Sequence, residues 1–222
     1  MSIFAIGDIH GCSRALDVLL SAIPLGPEDT LVTLGDYGDR GPDTRGVIER
    51  LLVLRERYHL VALRGNHEVM MCKARQDRGG LLDWLAVGGE ATLASYGNIA
   101  AIPASHWRFI EQECVDLFEA ETHFFVHAGV HADLPLSDQP EYVLHWDRFR
   151  NPPPHESGKV MVCGHTSQKN GLPAYIGHAI CIDTWACGEG WLSCLDVRQG
   201  IVWQANQAGE SRRLWLDEIG NP

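Results

Sequence analysis

The sequence predicts a mixed α/β fold, one domain built from two sheets. Three observations predict it. In the first third, short apolar runs alternate with amphipathic helical spacing, and crossovers of that length join parallel strands. Each of those runs ends in a Gly-bounded polar cluster, as loops at the carboxyl edge of a parallel sheet do. In the last third, apolar runs follow one another through tight turns, which favours antiparallel pairing. The length of 222 residues suits one large domain, and 45% hydrophobic with 21% charged residues is ordinary for a globular chain.

Ser2 to Ile6 is the first strand, ending at Gly7-Asp8-Ile9-His10-Gly11. Ser13 is read as the cap of a helix whose Ala15, Leu16, Leu19, Leu20 and Ile23 share one face. Pro24 and Gly26-Pro27 end it. Thr30 to Leu34 is the second strand and leads into Gly35-Asp36-Tyr37-Gly38-Asp39-Arg40-Gly41. Asp43 or Thr44 caps a helix through about Arg57, and Leu60 to Leu63 is the third strand, ending at Arg64-Gly65-Asn66-His67-Glu68. From 69 to 121 the chain reads as a mostly helical cover. Leu81, Leu82, Trp84, Leu85 and Val87 read as its core, Gly88-Gly89 interrupts it, and a last helix spans about Ser105 to Phe118. His123 to Val126 is a strand ending at His127-Ala128-Gly129, and a proline-rich polar stretch follows. Val160 to Cys163 is a strand ending at Gly164-His165-Thr166. Ala179 to Ile182, Trp191 to Asp196, Gly200 to Gln204 and Arg213 to Leu216 complete the set.

Composition excludes several classes. With 18 basic and 29 acidic residues the net charge is −11, which argues against a nucleic-acid duplex as partner. No apolar run reaches 18 residues, so no membrane span is expected. Met1-Ser2-Ile3-Phe4 lacks a basic leader region, so no secretory signal is expected. Seven cysteines, without a Cys-x-x-Cys pair, read as scattered reduced thiols in a cytoplasmic protein.

The polar clusters past the strands carry the chemistry. Asp8, His10, Asp36, Asp39, Asn66 and His67 are distant in sequence, yet one sheet edge can gather them, and His127 and His165 also sit just past strands. Clustered carboxylates repel one another unless a cation sits among them. Carboxylate, imidazole and amide oxygen together suit Mn²⁺, Fe or Zn²⁺ better than Ca²⁺. Two such ions hold an attacking oxygen and a phosphoryl group together and lower the pKa of a bound water to ~7, supplying a hydroxide nucleophile without a Ser or Cys. The planar guanidinium of Arg40 suits a phosphate.

The five clusters, in this order over residues 7 to 166, resemble the motif series of the phosphoprotein phosphatase branch of the calcineurin-like metallophosphoesterases. The resemblance implies an α/β (α+β) fold, a four-layer αββα sandwich of two mixed sheets with flanking helices. It implies Asp8, His10 and Asp36 on one ion, and Asp36, Asn66, His127 and His165 on the other, with Mn²⁺ the expected metal. His67 is implied as general acid, Asp39 as its hydrogen-bonding partner, and Arg40 as a phosphate clamp, with Asn66 also facing the phosphate. A second phosphate-binding arginine is expected between the last two histidines; Arg148 is the choice and Arg150 the fallback. Gly38 stands where the family usually has Val, which is expected to loosen the turn. Trp185 follows Ile182-Asp183-Thr184 where relatives commonly have Gly, and either shapes the pocket or fills space.

The expected function is metal-dependent hydrolysis of phosphoserine and phosphothreonine in proteins, with Glu68 after Asn66-His67 favouring that substrate. A symmetrical diadenosine tetraphosphate hydrolase, with a nucleotide as substrate, shares nearly all the motifs. A phosphodiesterase fits less well, because Asp39-Arg40 marks the phosphatase branch. A catalytically silent binding module would need ligand losses that the sequence does not show.

Overall fold

The computed structural model describes residues 1–219. Its first unit is β1 (Ile3–Ile6), α1 (Ser13–Ala22), β2 (Thr30–Thr33), α2 (Thr44–Arg57) and β3 (His59–Ala62). Next come the helices α3 (Asn66–Gln76), α4 (Arg78–Trp84), α5 (Glu90–Tyr96) and α6 (Ala104–Arg108). The second half holds β4 (Leu117–Glu119), β5 (His123–Val126), α7 (Glu141–Trp146), β6 (Val160–Cys163), β7 (Ala174–Tyr175) and β8 (Ala179–Cys181). The strands β9 (Leu192–Asp196), β10 (Ile201–Ala205) and β11 (Ser211–Trp215) follow.

One sheet runs β11-β10-β9-β1-β2-β3 and the other β4-β5-β6-β8-β7. Both are mixed. β1, β2 and β3 are parallel, as are β5, β6 and β8, while β9, β10 and β11 form an antiparallel meander against β1. Period-two alternation sorts each strand between two cores. Ala5, Val32, Phe125, Val162, Ile180, Leu195 and Val202 meet between the sheets. Phe4, Ile6 and Leu31 turn outward onto Leu16, Leu19, Val47 and Leu51 of α1 and α2. Phe124, Val126, Met161 and Cys163 turn outward on the second sheet, where Leu144 of α7, Leu136 and Phe149 cover them. This outermost layer is thin: one six-residue helix and proline-rich chain. The architecture is the two-sheet, helix-flanked fold that the sequence implies.

Local differences have physical reasons. Ser13 is not the cap of α1; Cys12 holds that position without a side-chain hydrogen bond, and Ser13 is the first helical residue. Asp43 does cap α2, accepting from Gly46 N at 2.9 Å. The helix expected through Phe118 stops at Glu113. Cys114 is extended, and Leu117 and Phe118 pair with Val126 and Phe125 instead; a free strand edge outcompetes helix propensity there. Leu82 and Val87 are exposed rather than core, while Trp84 is fully buried. Ala179–Cys181 stays in the second sheet, parallel to β6, because the chain makes its reversal at β7. The proline-rich stretch contains α7, for which Pro140 supplies the extended residue before the first turn.

The parallel strands of both sheets end on one edge. Asp8, Asp36, Asn66, His127, His165 and Asp183 all follow such ends within a few residues.

Candidate active site

Five of the seven non-glycine residues with positive φ among the described residues are His10, Asp36, Asp39, Arg40 and His165. Strained backbone is costly and concentrates where a constellation is being held.

Hydrogen bonds fix which nitrogen each histidine offers. His10 Nδ1 donates to Gly38 O at 2.8 Å, leaving Nε2 facing Asp36 Oδ2 at 3.5 Å. His127 Nδ1 donates to Leu34 O at 2.7 Å, leaving Nε2 facing Asp36 Oδ1 at 3.5 Å and Asn66 Oδ1 at 3.0 Å. His165 Nδ1 lies 3.0 Å from the same Asn66 oxygen. Burial pushes the His10 pKa down to about 4 and that of His165 down to about 3, the latter helped by His127. It lowers His127 as well. Neutral imidazole is the form that binds metal. In this state the lone pair of His127 Nε2 faces those of an amide oxygen and a carboxylate oxygen, and His10 Nε2, which accepts from Arg40, also faces a carboxylate. Acceptors packed this way fit a cation between them.

The donor atoms fall into two groups that share Asp36: His10, Asp36 and His67, and Asp36, His127 and His165. Burial alone would raise the Asp36 pKa, but His127, His67, His10 and His165 override it and hold the carboxyl well below the usual range. Asp8 belongs to neither group. Its carboxylate accepts from His165 N at 3.0 and 3.1 Å, and burial, Asp183 and Asp36 raise its pKa.

His67 opens α3, with Nδ1 donating to Asp39 Oδ2 at 2.7 Å and Nε2 turned toward the cleft. Burial disfavours its charge, but the negative Asp36 and the Asp39 hydrogen bond outweigh that and raise its pKa. Arg40 bridges the site, donating Nη1 to His10 Nε2 at 2.9 Å and Nη2 to His67 Nε2 at 2.8 Å. The surrounding cleft is about 380 Å³ and includes Asp36, Arg40, His67, Trp146, Arg148 and Lys169 in its lining. Arg150, the alternative to Arg148, is not on it.

The 69–121 segment does more than cover. Trp84 Nε1 donates to Asp39 Oδ2 at 2.7 Å, and Thr92 Oγ1 donates to Asp39 Oδ1 at 2.6 Å. Thr92 spends its one proton there, so Thr44 Oγ1, 2.8 Å away, donates to Thr92. Gly88, at φ 115°, turns its carbonyl to accept from Arg40 N at 3.1 Å; a Cβ there would lie 2.7 Å from Arg40 Cγ. Gly38 does not loosen the turn, because a Cβ at that position would lie 2.7 Å from Thr44 Cγ2. Thr44 and Thr92 already fill the space a valine would take.

Glu68 faces away from the cleft. It accepts from Gly65 N (2.9 Å), Asp36 N (2.8 Å) and Tyr37 N (2.9 Å), and burial followed by the Asp36 charge pushes its pKa up to about 7. Its carboxylate therefore holds the backbone of Asp36 and Tyr37 and does not line the cleft.

A family model described as calcineurin-like phosphoesterase matches residues 1–186. The chain belongs to the calcineurin-like phosphoesterases. It is a metal-dependent phosphoester hydrolase. Within this family, serine/threonine-protein phosphatase 1 of Salmonella typhimurium is 36% identical over 155 residues, 67% of this chain and 69% of that protein. A symmetrical bis(5'-nucleosyl)-tetraphosphatase of Paracidovorax citrulli is 36% identical over 104 residues, 38% of this chain and 36% of that protein. The match thus spans little more than a third of the tetraphosphatase. A crystal structure named, provisionally, a diadenosine tetraphosphatase superposes with a TM-score of 0.69 at 22% identity, over 96% of this chain and 94% of that chain. At that identity the likeness bears on the phosphoesterase fold alone.

Trp84 and Thr92 were outside the motifs. A buried tryptophan needs a partner for its N–H, which is a signal, but nothing in the sequence says which carboxylate supplies it. Replacing Trp84 with Phe keeps an aromatic ring and removes one hydrogen bond to a carboxylate, worth ~1.5–3 kcal/mol. The expected result is a fall in kcat of about tenfold or more with KM little changed. Steady-state kinetics on a phosphoserine peptide checks it, with Thr92→Val as the second, near-isosteric variant.

Proposed function

We propose that this phosphoesterase dephosphorylates serine and threonine residues of proteins, with residues 1–222 acting as one catalytic domain. Two divalent ions would be held by Asp8, His10 and Asp36 on one side, and by Asp36, Asn66, His127 and His165 on the other. Mn²⁺ is the ion proposed, and Fe and Zn²⁺ suit the same donors. When bound, the ions supply an acidified water and charge neutralisation for the phosphoryl group.

The chain's own residues do the rest. Arg40, held by Gly88 O and Val87 O, and Arg148, on the cleft wall, bind and orient the phosphate. His67 would carry a proton on Nε2 once that nitrogen gives up its contact with Arg40 Nη2, and would pass it to the leaving oxygen, while Asp39 fixes the ring and sustains its charge.

The observation that carries the phosphomonoester reading is the His67–Asp39 pair, aimed at the cleft and raised in pKa. A serine or threonine alkoxide is a strong base and leaves only with a proton. A nucleoside diphosphate is a weak base and needs less help. The longer match to a serine/threonine-protein phosphatase supports the same substrate. Hydrolysis of diadenosine tetraphosphate is the second reading, favoured by the tetraphosphatase relatives and by half-exposed Trp146 on the cleft wall, a surface on which a base can stack. Seven free thiols support a cytoplasmic setting.

The test is a competition. Mn²⁺-loaded protein is mixed with phosphoserine and phosphothreonine peptides and diadenosine tetraphosphate, and products are read by mass spectrometry. Dephosphorylated peptide with the dinucleotide intact is expected. ADP with peptides untouched would move the protein to nucleotide turnover.

A further inference from the structure

Lys169 is a third cation on the cleft, beside Arg40 and Arg148, in a chain of net charge −11. Its ammonium does not lie against a carboxylate among the described residues. It sits over the ring of Trp185, 5.5 Å from the centroid. Trp185 is held firmly. Its backbone is left-handed at φ 65°, an unfavourable state for an aromatic residue. Its N–H donates to Asp183 Oδ1 at 3.0 Å, and its carbonyl accepts from Gly188 N and Gly190 N. The ring lies on the bare backbone of Gly188, where a Cβ would come within 2.2 Å of Cε2.

Buried Asp183 ties this loop to the one carrying Lys169. Ser167 Oγ donates to its Oδ2 at 2.6 Å, and Gln168 N donates to its carbonyl at 2.8 Å. A long flexible cation is thus braced on an aromatic face, between two stapled loops, at the mouth of the site. Bracing lowers the ordering cost of binding and leaves the charge available.

We propose that Lys169, braced on Trp185, is a specificity-determining residue that receives a second anionic group of the substrate, a carboxylate or phosphate beside the scissile phosphate. Resting on the phosphoprotein reading, this makes the preferred substrate a phosphopeptide with an acidic residue or a second phosphoresidue next to the reacting one. Arg40 and Arg148 serve the scissile group, and a single dianion does not need all three cations. The polar wall formed by Thr166, Ser167 and Lys169 gives the second anion its place.

The experiment compares wild type with Lys169→Glu, Lys169→Arg and Trp185→Leu. Substrates are phosphoserine peptides flanked by Asp, by Lys or by a second phosphoserine, together with diadenosine tetraphosphate. Rates are expressed relative to p-nitrophenyl phosphate. The ratio of kcat/KM for acidic over basic peptides is expected to fall about tenfold in Lys169→Glu, through KM, because attraction becomes repulsion. Lys169→Arg should keep the preference, and Trp185→Leu should weaken it about threefold. The Asp-flanked and doubly phosphorylated peptides separate the two sources of the second anion. An unchanged ratio in Lys169→Glu overturns the proposal. If wild type ignores all peptides but cleaves the dinucleotide, the phosphoprotein reading falls. Lys169 is then judged on that substrate: a raised KM in Lys169→Glu supports the second-anion role, and an unchanged KM overturns it.

Discussion

Asp36→Asn is expected to abolish turnover, lowering kcat/KM by a thousandfold or more. Both clusters of donor atoms include Asp36, so one substitution weakens both ends of the centre. The charge stabilisation that bound ions lend a phosphoryl transition state is several kcal/mol, and ~4 kcal/mol corresponds to about a thousandfold. The chain should still fold. Asp36 also accepts from His67 N at 3.1 Å, and the asparagine oxygen can accept that bond. Its main-chain N–H remains tied to Glu68. Two measurements check the cause. Metal analysis after Mn²⁺ loading should show a loss of bound ion. Mn²⁺ should raise the melting temperature of wild type, by linkage, and raise that of the variant far less. An active Asp36→Asn enzyme with full metal content would sink the shared-ligand assignment.

His67→Asn is expected to cost about 10²- to 10⁴-fold on phosphoserine, the usual span for a positioned proton donor. On p-nitrophenyl phosphate, whose phenolate leaves readily, the loss should be much smaller. The pH profile should change with it. Against burial, Asp36 and the Asp39 hydrogen bond raise the His67 pKa, so its acid form is lost at a higher pH than that of an ordinary histidine. Wild-type kcat should therefore decline on the alkaline side, and the variant should lack that decline. Geometry adds a sharper control. His67 Nε2 lies 3.9 Å from Asp36 Oδ2 and shares a cluster with His10. A proton donor leaves metal content near normal when removed, whereas a ligand takes an ion with it. Equal losses on both substrates, with metal missing, would reassign His67 from acid to ligand.

Much of the framework was legible because parallel strands buried on both faces read as unbroken apolar runs. His123–Val126 and Val160–Cys163 match residue for residue. The clusters after them were legible because Asp, His and Gly just past a strand have little structural reason to be there. The groups that orient the dyad were not. Trp84 and Thr92 act on Asp39 from 45 and 53 residues away, and each alone reads as filler in a helix. The place of Glu68 was not legible either, since helix position alone does not say that its carboxylate turns back to three amides. The strand at Leu117–Glu119 was hidden because its stability lies in the edge it meets, not in its own residues.

The helices carrying Trp84 and Thr92 are short and bury few side chains. α4 buries only Gly80 and Trp84, and α5 only Thr92 and Tyr96. Between them, Gly88 holds the backbone of Arg40. Elements with few buried side chains open at lower free energy than core sheets. Opening this pair frees Asp39 and Arg40 together, so the dyad loses its orientation and the phosphate its clamp while both sheets stay intact. Warming is therefore expected to switch activity off reversibly before the sheets unfold, which activity and circular dichroism followed together on heating would check. The upper temperature of catalysis would then be set by two seven-residue helices and not by the sheets.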